Sequence, residues 1–428
     1  MSSRLVSVTT PLSEPFPSFL LGSSNKSFRH QYANIYFIRL QRLRGFVERN
    51  ATERWKNVKG NPRMVRRALD VTKGELCWIV GTFSIAPPPQ PPKYLSDVDT
   101  IVLEDESGRI VLVGERLKRE TFVTGIIMAA LGIETPDGQF EVVDLCFAGL
   151  APHMPLSTPS SDDDSMGIDD KPGSWIALIS GLELSLTDPQ SSVTELHLQL
   201  LVENILAESG DLSDQSFSSE ISRIIIAGNT MSVGNHSTRS YSSSISNEPE
   251  LLTAPPTLIT SKVLQELALA LPVHILPGSS DPSGTILPQQ PLPRAMFGSV
   301  RNYANFSCET NPTWLAIDGQ PMLITSGQPL DDMYKYIDSI DRLTLAVKTL
   351  EWRHIAPTAP DTLWCYPYVT EDPFILDITP SVYIIGNQPA FATTLAESKL
   401  PGDDGLSRKR DGKGDVLKVK RWNVKPFR

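Results

Sequence analysis

Residues 273–297 read Val-His-Ile-Leu-Pro-Gly-Ser-Ser-Asp-Pro-Ser-Gly-Thr-Ile-Leu-Pro-Gln-Gln-Pro-Leu-Pro-Arg-Ala-Met-Phe. The first four residues are too few for a helix, and they end at Pro277-Gly278, so they read as a short strand running into a Gly-centred turn. Four other apolar runs end the same way. Residues 175–179 enter Ser180-Gly181, residues 224–226 enter Ala227-Gly228-Asn229, residues 322–325 enter Ser326-Gly327, and residues 382–385 enter Gly386-Asn387. Such uninterrupted runs are the pattern of strands buried on both faces. Helical periodicity fits between them. Residues 193–207 place Leu198, Leu201, Val202, Ile205 and Leu206 on one face, and residues 331–350 do the same with Met333, Ile337, Ile340, Leu343 and Val347. Asp331 or Asp332 is expected to cap the second helix. The expectation is an α/β layered domain whose five strand ends converge, and ligands of open α/β sheets bind at the carboxyl ends of strands.

Upstream, residues 74–149 carry short strands with turn signals. Residues 100–104 and 109–113 form a hairpin around Asp105-Glu106-Ser107-Gly108. Residues 75–83, 122–131 (with Gly125 as a bulge) and 140–147 complete a small closed barrel, for which the OB-fold is the simplest candidate. Three stretches read as loops or linkers: the proline run 86–92, the Ser/Pro/Asp-rich 155–172, and the Ser-rich 230–256.

Composition sets limits on function. The chain has 428 residues, 40% of them hydrophobic and 21% charged, enough for two or three domains with sizeable cores. No run is long enough to span a bilayer, and residues 1–17 lack the apolar core of a signal peptide, so neither membrane insertion nor secretion is expected. Net charge is −10, which argues against autonomous duplex binding; the one clear basic run is at the end, from Arg408 through Arg428. Cys77, Cys146, Cys308 and Cys365 show no paired spacing, so free thiols in a reducing compartment are expected rather than a zinc site.

The turns also lack metal-binding chemistry. In sheet and turn positions the chain resembles the metallophosphoesterases, whose motifs Asp-x-His, Gly-Asp, Gly-Asn-His, a lone His and Gly-His-x-His hold two divalent ions. Here those positions read Gly181-Leu182-Glu183, Gly228-Asn229, Ser279-Ser280, Ser326-Gly327 and Gly386-Asn387-Gln388-Pro389. Paired divalent ions need several carboxylates or imidazoles, and neutral hydroxyls and amides do not supply that charge. Only Glu183 and Asp281 remain as acids. None of His30, His153, His197, His236, His274 and His354 falls at a ligand position. His274 reads as a packed strand residue.

A second resemblance spans most of the chain. It is carried by Gln31-Tyr32-Ala33-Asn34-Ile35-Tyr36-Phe37-Ile38-Arg39-Leu40, Leu103-Glu104-Asp105-Glu106-Ser107-Gly108-Arg109, Leu287-Pro288-Gln289-Gln290-Pro291-Leu292 and Trp352-Arg353-His354-Ile355-Ala356-Pro357-Thr358-Ala359-Pro360-Asp361-Thr362-Leu363, with Asp372-Pro373-Phe374 after them. On these residues the chain resembles the small (B) subunits of eukaryotic replicative DNA polymerases, most closely those of polymerase delta. The resemblance implies an OB-fold barrel joined to a calcineurin-like metallophosphoesterase domain that is catalytically degenerate, an α/β + β class. It implies a non-catalytic nuclear scaffold without cofactor that binds the cysteine-rich C-terminal region of the catalytic subunit and a further accessory subunit, and meets DNA indirectly. The expected domains are an N-terminal segment 1–40 packing on the C-terminal domain, the OB-fold 41–150, a linker 151–172, the phosphoesterase-like domain 173–400 and a basic tail 401–428, with a late strand near residues 416–422. The degenerate positions are Gly181, Glu183, Asn229, Ser279, Ser280, Ser326, Asn387 and Pro389. Gln289, Gln290, Thr358 and Asp361 are candidates for shaping loops, and Trp364 and Tyr366 for partner contact, though both aromatics read equally as core. Two alternatives stay open: a metal-dependent phosphodiesterase or 3′–5′ exonuclease, and an OB module that stacks single-stranded DNA on Trp78 and Phe122.

Overall fold

The structure, a computed structural model, describes residues 6–10, 12, 16–22, 28–85, 100–153, 175–184, 191–232, 255–337 and 340–396. The basic tail with its late strand, and most of the Ser-rich and acidic stretches, lie outside the described residues. The chain forms two compact units. One comprises Met1–Asn25, Pro155–Gln328 and Val382–Gln388; the other comprises Lys26–Met154, Pro329–Ser381 and Pro389–Arg428.

The first unit is built on two sheets. β8 (Trp175–Ile179), β9 (Ile221–Ala227), β10 (Val273–Leu276) and β11 (Phe306–Cys308) are all parallel, in the order β11-β10-β9-β8. β1 (Thr9–Thr10), β12 (Thr313–Ile317), β13 (Gln320–Thr325) and β14 (Val382–Ile385) form the second sheet in that order. It is antiparallel except for the β13–β14 pair. β9 and β10 are buried along their whole length. The two-residue period of a strand sends their side chains to opposite faces. Ile224, Ile226, Val273 and Ile275 join a cluster with Val202 and Ile205 of α2 (Ser191–Ile205) and with Leu264, Leu267 and Leu271, the first two on α4 (Pro255–Ala270). Ile225, Ala227 and Leu276 face the other way and pack on Ile317, Met322 and Ile324 of the second sheet. A short helix α3 (Leu212–Ser219) precedes β9; its Asp211 cap accepts from the Ser213 and Asp214 amides. The five runs read from the sequence therefore divide between two sheets. β8 is an edge strand with Leu178 46% exposed, so it is not buried on both faces as its composition suggested.

The second unit is a closed barrel. β3 (Leu76–Ile85), β4 (Ile101–Glu104), β5 (Arg109–Val113), β7 (Phe140–Phe147) and β6 (Ile127–Glu134) follow one another around it. β6 pairs back onto β3, while β2 (Arg63–Val65) adds to the β3 edge. This is the five-stranded Greek-key closure of an OB-fold. α1 (Asn34–Trp55) lays Leu40, Leu43, Val47, Ala51 and Trp55 on Trp78, Val80, Ile127, Ala129 and Leu131. That 3-4-4-4 spacing is one helix face. The boundary placed at residue 40 thus falls inside a helix: Thr9–Thr10 pair with β12, whereas residues from Asn34 onward pack on the barrel.

Two local readings are corrected. Gly125 is not a bulge within a strand. It precedes β6, and the register shift lies between Leu131 and Gly132. A Cβ at Gly125 would sit 2.0 Å from the Pro357 carbonyl oxygen, so glycine there permits a close backbone approach. The helix expected over residues 331–350 is two helices, α5 (Gln328–Met333) and α6 (Arg342–Glu351). Asp341 caps α6, accepting from the Thr344 amide at 3.0 Å. Asp332 does not act as a cap: its carboxylate is held by the hydroxyls of Thr358 and Thr362, both at 2.5 Å.

Candidate functional site

The strand-end turns of the first unit meet in one network. Asn229 follows β9 in the left-handed region (φ 54°), which Asn tolerates better than most residues. Its Oδ1 accepts from Ser279 Oγ and the Ser280 amide, both at 3.3 Å. Gly278 makes this possible: a Cβ there would lie 2.1 Å from that same Oδ1. Asn387, also left-handed (φ 55°), donates Nδ2 to the Ser326 carbonyl at 2.7 Å and to the Ala227 carbonyl at 3.2 Å, and its amide donates to Ser180 Oγ at 3.0 Å. Gly181 and Glu183 continue from β8 with positive φ, and their amides donate to the Gly228 and Asn229 carbonyls at 3.1 and 2.8 Å. Pro389 is exposed.

Asp281 is the buried carboxylate of this cluster, 5% exposed. Its oxygens accept from the Met231 amide at 2.8 Å and the Gly278 amide at 2.7 Å. Burial pushes its carboxyl pKa up, and these backbone donors only partly oppose the shift. The carboxylate works as a loop anchor.

The Leu-Pro-Gln-Gln-Pro-Leu string supplies the second layer. Gln289 is 2% exposed. It donates to the Gly278 and Gly284 carbonyls at 3.0 and 2.9 Å and to Ser283 Oγ at 2.9 Å. Its Oε1 accepts from Asn311 Nδ2 at 2.7 Å and Gln328 Nε2 at 2.9 Å. Asn311 reaches on to Ser326 Oγ at 2.7 Å and accepts from the Ser326 amide at 2.9 Å, and Ser326 Oγ bonds Gln328 Oε1. Asn311 was missed in the sequence. The only signal was an amide side chain before a proline in a loop. Gln290 points elsewhere, accepting from the Leu21 amide at 2.9 Å and donating to the Phe19 carbonyl at 3.1 Å, so it fastens the N-terminal segment.

In the second unit the distinctive strings build a different cluster, around fully buried Arg39 of α1. Its guanidinium donates to Asp372 Oδ2 at 2.8 Å and to the carbonyls of Gly125 (3.1 Å), Pro357 (2.7 Å) and Ala359 (2.8 Å). His354 Nδ1 accepts the Ala356 amide at 3.2 Å, which leaves the proton on Nε2 to donate to Asp372 Oδ2 at 2.8 Å. Burial, with Arg39 adding to it, lowers the His354 pKa to about 4 against the pull of Asp372. Burial opposes ionisation of Asp372, but His354 and Arg39 outweigh it and hold the carboxyl well below the usual range. Thr358 is fully buried against Asp332, while Asp361 is exposed. Trp364 is 66% exposed; Tyr366 is 8% exposed and packs edge-on to Phe28 and Tyr368. Trp78 (4%) and Phe122 (8%) lie in the barrel core, against Trp55 and Phe83 respectively.

Residues 176–393 match the family model of the B subunits of DNA polymerases alpha and epsilon, and residues 31–86 and 83–145 match that of the DNA polymerase delta subunit OB-fold domain. Barrel and sheet unit together therefore define a B-type subunit of a DNA polymerase. The chain is 35% identical over 387 residues to a DNA polymerase delta small subunit of Oryza sativa, covering 86% of this chain and 84% of that protein. It is 32% identical over 434 residues to the DNA polymerase delta small subunit of Saccharomyces cerevisiae, covering 89% and 84%. A shorter likeness, 25% over 130 residues, links it to the DNA polymerase II small subunit of Methanothermobacter thermautotrophicus, covering 30% and 27%. The chain belongs to the family of DNA polymerase delta small subunits.

Proposed function

We propose that the chain is a non-catalytic scaffold of a nuclear DNA polymerase delta complex, joining the cysteine-rich C-terminal region of the catalytic subunit to a further accessory subunit. On this reading the first unit is a calcineurin-like phosphoesterase fold whose ion-binding side chains are gone. The observation that carries it is the bonding at the strand ends. Asn229, Ser279, Ser326 and Asn387 hydrogen-bond one another's loops, and Asp281 is already engaged by two amides. A two-ion site needs several anionic or imidazole donors facing one point, and this donor set does not fit one. Among the described residues no group of three His, Cys, Asp or Glu side chains could hold a metal. Burial also raises the thiol pKa values of Cys77 and Cys146 to about 11 and of Cys308 and Cys365 to about 12, which disfavours the thiolate that metals require.

Apart from Thr230 Oγ1, Ser280 Oγ and Asn387 Oδ1, which are buried without a partner among the described residues, hydrogen-bonded amides and hydroxyls tie these turns together, which suits a platform for partner chains. Gln289 and Thr358 shape loops on this reading, and exposed Trp364 is offered to a partner. Two measurements test it. Tagged protein recovered from cells should bring a catalytic polymerase chain and one accessory chain. Highly purified protein should leave 3′-ended strands intact with manganese; degradation abolished by Asp281→Ala would overturn the proposal.

A further inference from the structure

In a chain of net charge −10, residues 54–67 read Arg-Trp-Lys-Asn-Val-Lys-Gly-Asn-Pro-Arg-Met-Val-Arg-Arg, with six cations and no acid. The segment runs from the last turn of α1 through the edge strand β2. Three of the six are matched within the barrel unit: Arg54 to Asp144 at 2.7 Å, Lys56 to Glu53 at 2.6 Å and Arg67 to Asp70 at 2.8 Å. Lys59, Arg63 and Arg66 are exposed, and among the described residues they form no ion pair. Val65 is buried, and Arg63–Val65 pair in register with Cys77–Ile79 of β3, so the pairing fixes the backbone at Arg63, with Lys59 before it and Arg66 directly after the strand.

We propose that Lys59, Arg63 and Arg66 form a contact strip for the sugar-phosphate backbone of duplex DNA. Arg66 follows β2 in a bend, three residues after Arg63, so at most about 10 Å of chain separates them, about three phosphates at the 3.4 Å axial rise of one DNA strand. The one aromatic of the segment, Trp55, is 3% exposed, so the strip presents no face for stacking a base, and contact with phosphates alone favours a duplex over an unstacked single strand. Such a contact is independent of sequence and suits a subunit that accompanies a polymerase along its product. This rests on the family assignment and not on the loss of the metals.

The test is anisotropy of a labelled duplex with the full chain from about 50 to 200 mM salt, comparing wild type, the triple variant Lys59→Ala/Arg63→Ala/Arg66→Ala, and a tail variant Lys418→Gln/Lys420→Gln/Arg421→Gln. The triple variant should bind about tenfold or more weakly at low salt, and the slope of log affinity against log salt should shrink by about 3, one for each phosphate contact removed. Its melting temperature and its co-purification with the catalytic chain should stay unchanged, which separates failure of the strip from failure of the scaffold reading. Three results would overturn the proposal: unchanged affinity and slope in the triple variant, binding lost only in the tail variant, or aggregation of the triple variant without a change in DNA binding, which would make the charges edge protection for β2. Displacement of the duplex by poly-glutamate at equal charge would assign the strip to an acidic protein partner instead.

Discussion

The strand-end turns of the sheet unit and the Arg39 cluster of the barrel unit both lie on strings that stand out in the sequence, yet their chemistry is opposite. Around Gln289 and Asn229 the bonding groups are neutral apart from Asp281, and each bond fixes one loop to the next. Around Arg39 a full charge is buried, with four of its five N–H groups occupied and Asp372 as counter-ion. A phosphoesterase would concentrate charge at the strand ends. This molecule concentrates it where α1 meets the loops at Gly125, Pro357 and Ala359. Buried charge here holds distant segments of the barrel unit together.

The sharpest way to break the comparison is Arg39→Met. It leaves Asp372 buried without its cation and three carbonyls without donors, and is expected to cost about 3–5 kcal/mol in urea denaturation. A loss no larger than that of Gln289→Ala would place the Arg39 cluster on the same footing as the neutral one. The pH dependence of stability comes next. His354 is held neutral, with its folded pKa lowered to about 4. The unfolded chain therefore takes up a proton that the folded chain refuses. This contribution is complete above the unfolded value of about 6.5 and is lost as pH falls towards about 4, at up to about 1.4 kcal/mol per pH unit. Asp372, also depressed, adds a loss of the same sign below about 3.9. His354→Gln should flatten the slope between about pH 6.5 and 4; an unchanged slope would mean another group titrates there.

Gln289→Ala tests the neutral side. It strips donors from the Gly278 and Gly284 carbonyls and acceptors from Asn311 and Gln328, for an expected loss of about 1–3 kcal/mol without a pH signature. Gln290→Ala should cost about 1 kcal/mol and speed proteolysis near residues 19–21, because only that segment is released. Trp364→Ala should alter stability by less than about 0.5 kcal/mol. Weakened recovery of a partner chain with stability intact would mark Trp364 as a contact, and intact recovery would remove it from the interface.

Much of the fold was readable from local patterns. Runs of β-branched and aliphatic residues ending in glycine marked β8, β9, β10, β13 and β14, and the Asp105–Gly108 turn marked the hairpin. Four strands escaped: β1 has two residues and β2 and β11 three each, too few to show a period, and β12 keeps Trp314 and Leu315 only half-buried, so its apolar pattern is incomplete. The split of residues 331–350 into two helices was hidden because the apolar period continues across the break. α5 ends at Met333, and the side chain of Asp332 within it is held by Thr358 and Thr362, 26 and 30 residues away. Helix α1 has no counterpart among the periods read from the sequence, and nothing near Arg39 in the chain announces three carbonyl partners from distant loops. The basic segment 54–67 was overlooked because its charges are spaced across a helix end and a strand, while the tail carries its charges in a row.

Alone, the sequence determined the longer strands of both units, the two kinds of layer and the neutral character of the turns, since side-chain periodicity and residue chemistry act over a few neighbours. Tertiary structure decided that residues 329–381 join the barrel unit, that Asp281 anchors loops, and that Arg39 rather than any strand-end group is a buried charge hub. Those outcomes depend on groups far apart in the chain arriving within hydrogen-bond distance. That depends on how the whole chain packs, and no local window of residues encodes it.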